Sequence, residues 1–490
     1  MRKVKVRTLY LIAIIVGGLV GLATKSTYAM FTASAEIDNP ICMSANLTSE
    51  EETIETMEVV VTAGEKKIVP VTINNTSTNT VGYSVWYTSP SDKVKIGIKL
   101  SNSDSSNSTG TISSNGSKKV YVQIINNSAS SVTITLGVIS NKTSNDMTLI
   151  PNTELDFSVN LVTYIKNLYT NTAKTTTTLD SVTYNLASSV GLMNDRKGSM
   201  STGIDAGNIR YYGANPNNYI YFNCSDYKNQ SSDTCETWKI IGVFDGKVKI
   251  MRGSQIGTYS WDTSDSSTNS GYGVNEWSQA DLMKLLNSGY ETESVGGSLY
   301  WNAQSGTCYN GSKNATGSCN FTSTGLKNDT TRNLIAETTY YTRGHNDSKI
   351  YVNAMYDKER VSGTVITGVT PTRTLTWIGK VAIPYPSDYG YAADLSLCQK
   401  QLGSYNDATC TANNWMKNII TNNGGNYGWL LTPYSGLAYG AWFVYSSGYV
   451  YGNGSYASHA GGVAPVLSLS SELGIGSGTG ESSSPYQLSV

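Results

Sequence analysis

Charge is scarce in this chain. Asp, Glu, Lys and Arg make up 14% of 490 residues, where an average soluble protein carries roughly 25%. The 35 basic and 36 acidic residues leave a net charge of −1. No basic patch would draw the chain onto nucleic acid or an anionic membrane surface. Histidine is scarcer still, with only His345 and His459, and there is no Cys-x-x-Cys. That argues against a zinc site. No long apolar run follows the first thirty residues, which excludes a second membrane-spanning helix. Asn, Ser, Thr, Gly and Tyr fill the gap, with 34 Tyr and 47 Gly. Such a composition favours sheets and turns over long helices. The hydrophobic share of 39% is enough for packed cores, and the length fits two domains.

The first segment sets the expected compartment. Met1 to Arg7 is basic, Leu9 to Ala23 is apolar, and Thr27 and Ala29 place small residues ahead of a cleavage site between Ala29 and Met30. That is the layout of a signal peptide over residues 1–29. The apolar stretch falls short of the roughly 20 residues that span a bilayer. Left uncleaved, the segment would serve as a membrane anchor instead. The last residues, Ser484 to Val490, carry neither a hydrophobic tail nor a sortase-type Leu-Pro-x-Thr-Gly signal. The expected location is extracellular or at the cell surface. The cysteines agree. Six of the seven form local pairs, Cys224 with Cys235, Cys308 with Cys319 and Cys398 with Cys410, leaving Cys42 over. In an exported chain such pairs read as disulfide-closed loops.

From Val59 to about Val162 the pattern is all-β. Val94 to Leu100 and Val132 to Val138 alternate apolar with polar or small residues, as a strand with one buried face does. An internal echo runs through this part. Gly64-Glu-Lys-Lys67 leads to Asn74-Asn75, and Gly116-Ser-Lys-Lys119 leads to Asn126-Asn127. The offset is 52 by that alignment, and paired units of this kind suit a β-sandwich over residues 30–165. The segment Tyr28-Ala-Met-Phe-Thr-Ala-Ser-Ala-Glu36 resembles the mature start of TasA- and camelysin-type exported β-sandwich proteins. That resemblance implies a Gram-positive surface protein, with self-association into fibres as one role for the sandwich. Residues 166–205, with Thr175 to Thr178, read as a linker or an edge strand.

Residues 206–490 read as an α+β domain. Asp245-Gly246 between two apolar runs is a hairpin signal. Ser278 to Asp281 reads as a capping box opening a helix to Asn287, and Asp329 to Thr339 as a second helix. Later strands are expected at Leu375–Ile383, Gly428–Leu431, Trp442–Tyr445, Tyr449–Tyr451 and Val463–Leu469. The Trp238 hairpin, the Asn275-to-Asn287 helix, Trp429-Leu-Leu-Thr-Pro433 and the ending Gly462-Val-Ala-Pro-Val-Leu occur in the same order in an uncharacterised family. Its members are secreted Gram-positive bacterial domains, and this part of the chain resembles them. The resemblance implies a C-type-lectin-like or formylglycine-generating-enzyme-like architecture and no established reaction. The chain departs from the family at Ala464, where an arginine is usual.

No nucleophile–base pair stands out. Ser458 precedes His459, but adjacency in sequence does not place two side chains face to face. The expectation is a non-enzyme without a cofactor. Two Asp-bearing loops offer oxygen ligands that would suit calcium, one with Asp262 and Asp265, the other with Asp388 and Asp394. Aromatics crowd residues 427–456, and Tyr434, Trp442 and Tyr445 are the expected ligand-binding side chains. The fold class expected is β-rich, an all-β sandwich followed by a disulfide-bonded, C-type-lectin-like α+β domain. The function expected is adhesion, by binding a glycan or an extracellular protein through the C-terminal domain. A fibre subunit and an exported enzyme on the same scaffold are the alternatives.

Overall fold

Alternating Val and Ile in the first half, and local turn chemistry in the second, build a β-rich protein. The computed structural model describes residues 43–47, 54–62, 65–99, 107–126, 128, 130–140, 148–153, 155, 159–197, 207–263, 271–311, 313–362, 374–421, 427–452 and 455–490. Residues 1–42, among them Ala29, Met30 and Cys42, lie outside them. The described residues fall into two units, 43–155 and 159–490.

The first unit is a sandwich. Its strands are β1 (Met43–Leu47), β2 (Ile54–Val61), β3 (Lys66–Asn75), β4 (Val81–Thr88), β5 (Val94–Ile98), β6 (Thr109–Ile112), β7 (Ser117–Asn126) and β8 (Val132–Ser140). One sheet runs β1-β3-β7-β5 and the other β2-β8-β4-β6. Val69, Val71 and Ile73 of β3 point inward, as do Val120, Val122 and Ile124 of β7 and Ile134, Leu136 and Val138 of β8, into one shared core. Trp86 of β4 lies opposite Gly137, where a Cβ would sit 2.2 Å from the indole. Only a glycine leaves room there.

The echo in the sequence is a structural repeat, with its register corrected. Strands β1–β4 recur as β5–β8, and Asn75 corresponds to Asn126 rather than to Asn127. The offset is therefore 51. Each of these buried asparagines closes the same loop. Asn75 donates from Nδ2 to the carbonyls of Asn79, Ile112 and Ser113, and accepts at Oδ1 from the Ser77 N–H and hydroxyl. Asn126 donates to Val61, Thr62 and Ser130, and accepts from Ser128 in the same way. The copies differ at the outer strands, since β1 pairs parallel with β3 while β5 pairs antiparallel with β7.

The second unit begins earlier than the sequence suggests. Residues 166–197 are not a linker. The helix Leu161–Asn171, capped by Asn160 accepting from the Thr163 N–H at 3.1 Å, buries Leu161, Ile165 and Tyr169. Asn160 also donates to the Ser471 carbonyl, and Val159–Asn160 pairs with Gly474–Ser477 near the chain's end. Thr175–Leu179 is the polar edge strand of a ten-stranded sheet that continues through Val182–Ala187, Leu192–Asn194, Ile209–Tyr211, Glu236–Phe244, Lys247–Arg252 and Val466–Leu469. The hairpin turn at Asp245-Gly246 has positive φ at both residues, 47° and 74°, the two-residue turn that matches strand twist. A five-stranded sheet holds Thr258–Ser260, Ala460–Gly462, Tyr427–Pro433, Ala441–Tyr445 and Val450–Tyr451.

All three expected disulfides form, Cys224–Cys235, Cys308–Cys319 and Cys398–Cys410. They favour an extracellular location. Among the described residues no helix is long and apolar enough to cross a membrane. Two helix expectations change. Ser278 lies in a short turn, and the helix Asp281–Leu286 starts from Ala280 without a side-chain cap. The helix at Asp329 stops at Asn333, because Ile335–Ala336 and Thr338–Tyr341 are recruited as strands.

Replacing Asn126 by Ala removes three donated bonds and strands buried carbonyls. The sandwich should lose about 2 kcal/mol. Urea unfolding followed by hydrogen exchange at the β3 and β7 amides checks this. An unchanged midpoint would deny the asparagine its part in the repeat.

Candidate functional site

The side chains singled out in the sequence divide sharply on burial. Asp388, expected on an open cation-binding loop, is 1% exposed. It sits in the first turn of the helix Pro386–Tyr391 and is wholly committed to protein partners. Its Oδ1 accepts from Arg210 Nη1 at 3.0 Å, and its Oδ2 takes Lys249 Nζ and the Tyr385 N–H. Arg210 in turn reaches Asp195, which also accepts from the Lys197 and Asn208 backbone N–H groups. Beside them Glu359 pairs with Arg360 and accepts from the Ser387 N–H and hydroxyl. The rings of Phe244 and Tyr391 lie 4.5 and 4.7 Å from the Arg210 guanidinium. Three cations and three carboxylates thus share one aromatic-walled interior. Burial alone would raise the pKa of Asp388, but Lys249, Arg210 and Arg360 outweigh it and hold the carboxyl well below its ordinary range.

Asp262 and Asp394 also accept bonds from the protein. Asp262 is 2% exposed and accepts from the Val274 N–H at 2.6 Å. Asp265 lies outside the described residues. Asp394 accepts at Oδ1 from the Ser396 N–H and hydroxyl in a local turn. Asp388 and Asp394 therefore do not offer the free, converging oxygens expected of a calcium loop. Among the described residues no group of three or more His, Cys, Asp or Glu converges on a metal position. His459 packs its ring against Tyr456 at 5.1 Å, in a group with Tyr272 and Tyr439. Burial lowers its pKa. His345 stacks on Trp442 and accepts through its carbonyl from the indole N–H.

The aromatic expectation needs correction at Trp442. Trp442 is fully buried and belongs to the core, with its Nε1 donating to His345. Tyr434 is half-buried against that core. Tyr445 is 37% exposed, and the structure supplies it with neighbours. Strand alternation sends Trp442, Val444 and Val450 inward, so Phe443, Tyr445, Tyr449 and Tyr451 share the opposite face. Ring centroids lie 6.2 Å apart for Tyr445–Tyr449 and 5.3 Å for Tyr449–Tyr451. Phe443, buried, touches Tyr445 at 4.8 Å, Tyr427 at 5.1 Å and Tyr451 at 6.2 Å beneath them. The hairpin closes where the Tyr445 N–H donates to the Tyr449 carbonyl and the Gly448 N–H to that of Tyr445. Gly448 has φ +93°, so a side chain there would strain the turn and misplace both rings. From residue 418 to residue 471 the chain holds no Asp, Glu, Lys or Arg. That charge-free run was the signal in the sequence that could have picked out this face.

Compared with known proteins, the chain matches no family model and no curated protein. Among solved structures it is similar to PliG, a periplasmic inhibitor of g-type lysozyme from Aeromonas hydrophila. The likeness has 11% identity and a TM-score of 0.12, over 20% of this chain and 99% of that one.

Changing Asp388 to Ala leaves Lys249 and Arg210 short of an anion in the interior, and should cost about 3–5 kcal/mol. Pairing Asp388→Leu with Lys249→Met should cost less than the single change, as thermal unfolding of the oxidised chain would report. The pH dependence follows from the depressed pKa. The stabilisation from Asp388 is fully present above its unfolded pKa of about 3.9. It is lost as pH falls below that value toward the folded one.

Proposed function

We propose that this is a secreted or surface-displayed adhesion protein without catalytic activity, whose C-terminal domain binds neutral glycan on the tyrosine face. One observation carries the reading. Tyr445, Tyr449 and Tyr451 form a ladder of partly exposed rings in a long stretch without a charged side chain. Tyrosine offers a flat apolar face for the C–H side of a sugar ring and a hydroxyl for its polar rim. A protein partner would leave more mixed polarity and some charge at the rim of its site. The resemblance of this part of the chain to secreted domains of proposed lectin-like architecture points the same way. The rings also rest on Phe443 and Tyr427, so little side-chain freedom is lost when a ligand docks.

The test is calorimetric titration of the full, oxidised chain with soluble neutral polysaccharides, alongside mucin and cell-wall fractions. Tyr445→Ala with Tyr449→Ala should weaken binding by about 2 kcal/mol or more and leave the unfolding midpoint nearly unchanged. Raising the salt concentration should have little effect, because no ion pair is made. Trp442→Ala is the contrast. It should cost about 3–5 kcal/mol of stability and lose binding only by unfolding the sheet. Binding that survives loss of both tyrosines would sink the proposal.

A further inference from the structure

A second surface of the same domain is built on the opposite principle. The strand Glu236–Phe244 carries Lys239 into a cleft of about 700 Å³ that Ala214, Asn215, Tyr219, Ser254, Trp415 and Asn418 help to line. Lys239 is 6% exposed, yet among the described residues no carboxylate pairs with it and no atom accepts a hydrogen bond from it. Its Nζ instead lies 4.0 Å from the centre of the Tyr219 ring and 5.2 Å from that of Trp415. Both rings are fixed. Tyr219 donates from its hydroxyl to Asn215 Oδ1 at 2.7 Å, and Trp415 donates from Nε1 to the Tyr211 carbonyl at 3.0 Å.

The other charges at the cleft cancel. Arg252 holds Glu236 through two bonds, Nε to Oε2 at 3.0 Å and Nη2 to Oε1 at 3.1 Å. The Trp238 indole N–H adds a third bond to that carboxylate, and the remaining Arg252 nitrogen is used by Ser254 and Gln255. Among the described residues lining the cleft, Lys239 is therefore the one cation without an anion. Burying an ammonium without a counter-charge is unfavourable, and two aromatic faces offset only part of that cost.

We infer that this cleft binds a saccharide carrying a single carboxylate, with the Lys239 ammonium as the partner of the anion. Cleft size argues against a small ion, since volumes of a few hundred Å³ suit ligands of sugar to oligosaccharide size. A single unpaired cation suits a monoanion better than a phosphate carrying about −1.5 to −2. The aromatic walls and the amide and hydroxyl groups of Asn215, Asn418 and Ser254 provide for a ring with both apolar and hydroxyl edges. Tyr427, Tyr445, Tyr449 and Tyr451 are not among the cleft's lining residues, so the inference does not rest on the tyrosine face.

Desolvation lowers the pKa of Lys239 to about 8. The other titratable or charged groups lining the cleft are Glu236 and Arg252, already paired, and Tyr219, whose hydroxyl is pushed up by burial. Because the protonated amine is the binding form, affinity should hold steady below about pH 8 and fall up to about tenfold per pH unit above it.

The experiment uses the full, oxidised chain and the probes glucuronate, N-acetylneuraminate, glucose and inorganic phosphate. Limited acetylation at neutral pH, mapped by peptide mass spectrometry, should label Lys239, and one or both acidic sugars should protect it while glucose does not. In titrations, Lys239→Met should bind the protecting sugar at least tenfold more weakly, and Tyr445→Ala with Tyr449→Ala should bind it unchanged. If the methionine variant fails to fold, the protection assay on the unaltered protein still decides. The inference is overturned if neither acidic sugar protects Lys239, if phosphate protects it better than both, or if Lys239→Met binds as the parent does.

Discussion

The second unit is organised around the cost of burying a cluster of charges. A protein poor in charge places Asp195, Arg210, Lys249, Glu359, Arg360 and Asp388 together in its interior. Each must be stripped of water, and that penalty is recovered only where hydrogen bonds saturate the group. Here the geometry admits little alternative. Arg210 on one strand must meet both Asp195, at the end of the preceding strand, and Asp388, on the helix Pro386–Tyr391. Lys249 on the partner hairpin must reach the same Asp388. A slip of any strand by one residue would turn a charge outward and strand its partner. The network therefore fixes the register of the sheet against the helix more strictly than an interchangeable apolar core would.

The sandwich meets the same need for register with neutral groups. Asn75 and Asn126 each tie a loop to the neighbouring strands through three donated and two accepted bonds, at equivalent places in the repeat. An amide satisfies the backbone without the desolvation cost of a carboxylate, and a buried, fully bonded amide is costly to misplace. Duplication explains why both sites exist. It does not explain why β1 runs parallel to its neighbour and β5 antiparallel, and the structure offers no further account of that difference.

What could be read from the sequence was what depends on near neighbours. The Asp245-Gly246 turn is a matter of two residues' φ values, and the three disulfides join cysteines eleven or twelve residues apart. What could not be read depends on distant partners. The acid at position 388 looks like a loop ligand until Arg210 and Lys249, 178 and 139 residues away, are folded onto it. Trp-Phe-Val-Tyr at 442–445 is apolar or aromatic at every position, so alternation alone cannot say which face is inside. Thr175 to Thr178 was ambiguous because an edge strand with an exposed face needs no apolar period. The repeat was visible in the lysines and asparagines, but a doubled Asn allowed a one-residue error that the matching hydrogen bonds of Asn75 and Asn126 resolve.

Scarcity of charge also decides what kind of recognition this domain can perform. With 35 basic and 36 acidic residues the net charge is near zero, so electrostatic steering contributes little to encounter. Recognition must then be decided at contact. In the proposed glycan contact on the tyrosine face, ring stacking would be insensitive to salt and tolerant of sequence in a repeating polymer. In the Lys239 cleft the same scarcity acts in reverse. An ammonium surrounded by neutral groups and one closed ion pair is little screened, so a single carboxylate can discriminate strongly there. Two surfaces on one domain, one blind to charge and one selective for it, would let a single head grip a neutral chain and test it for an acidic residue.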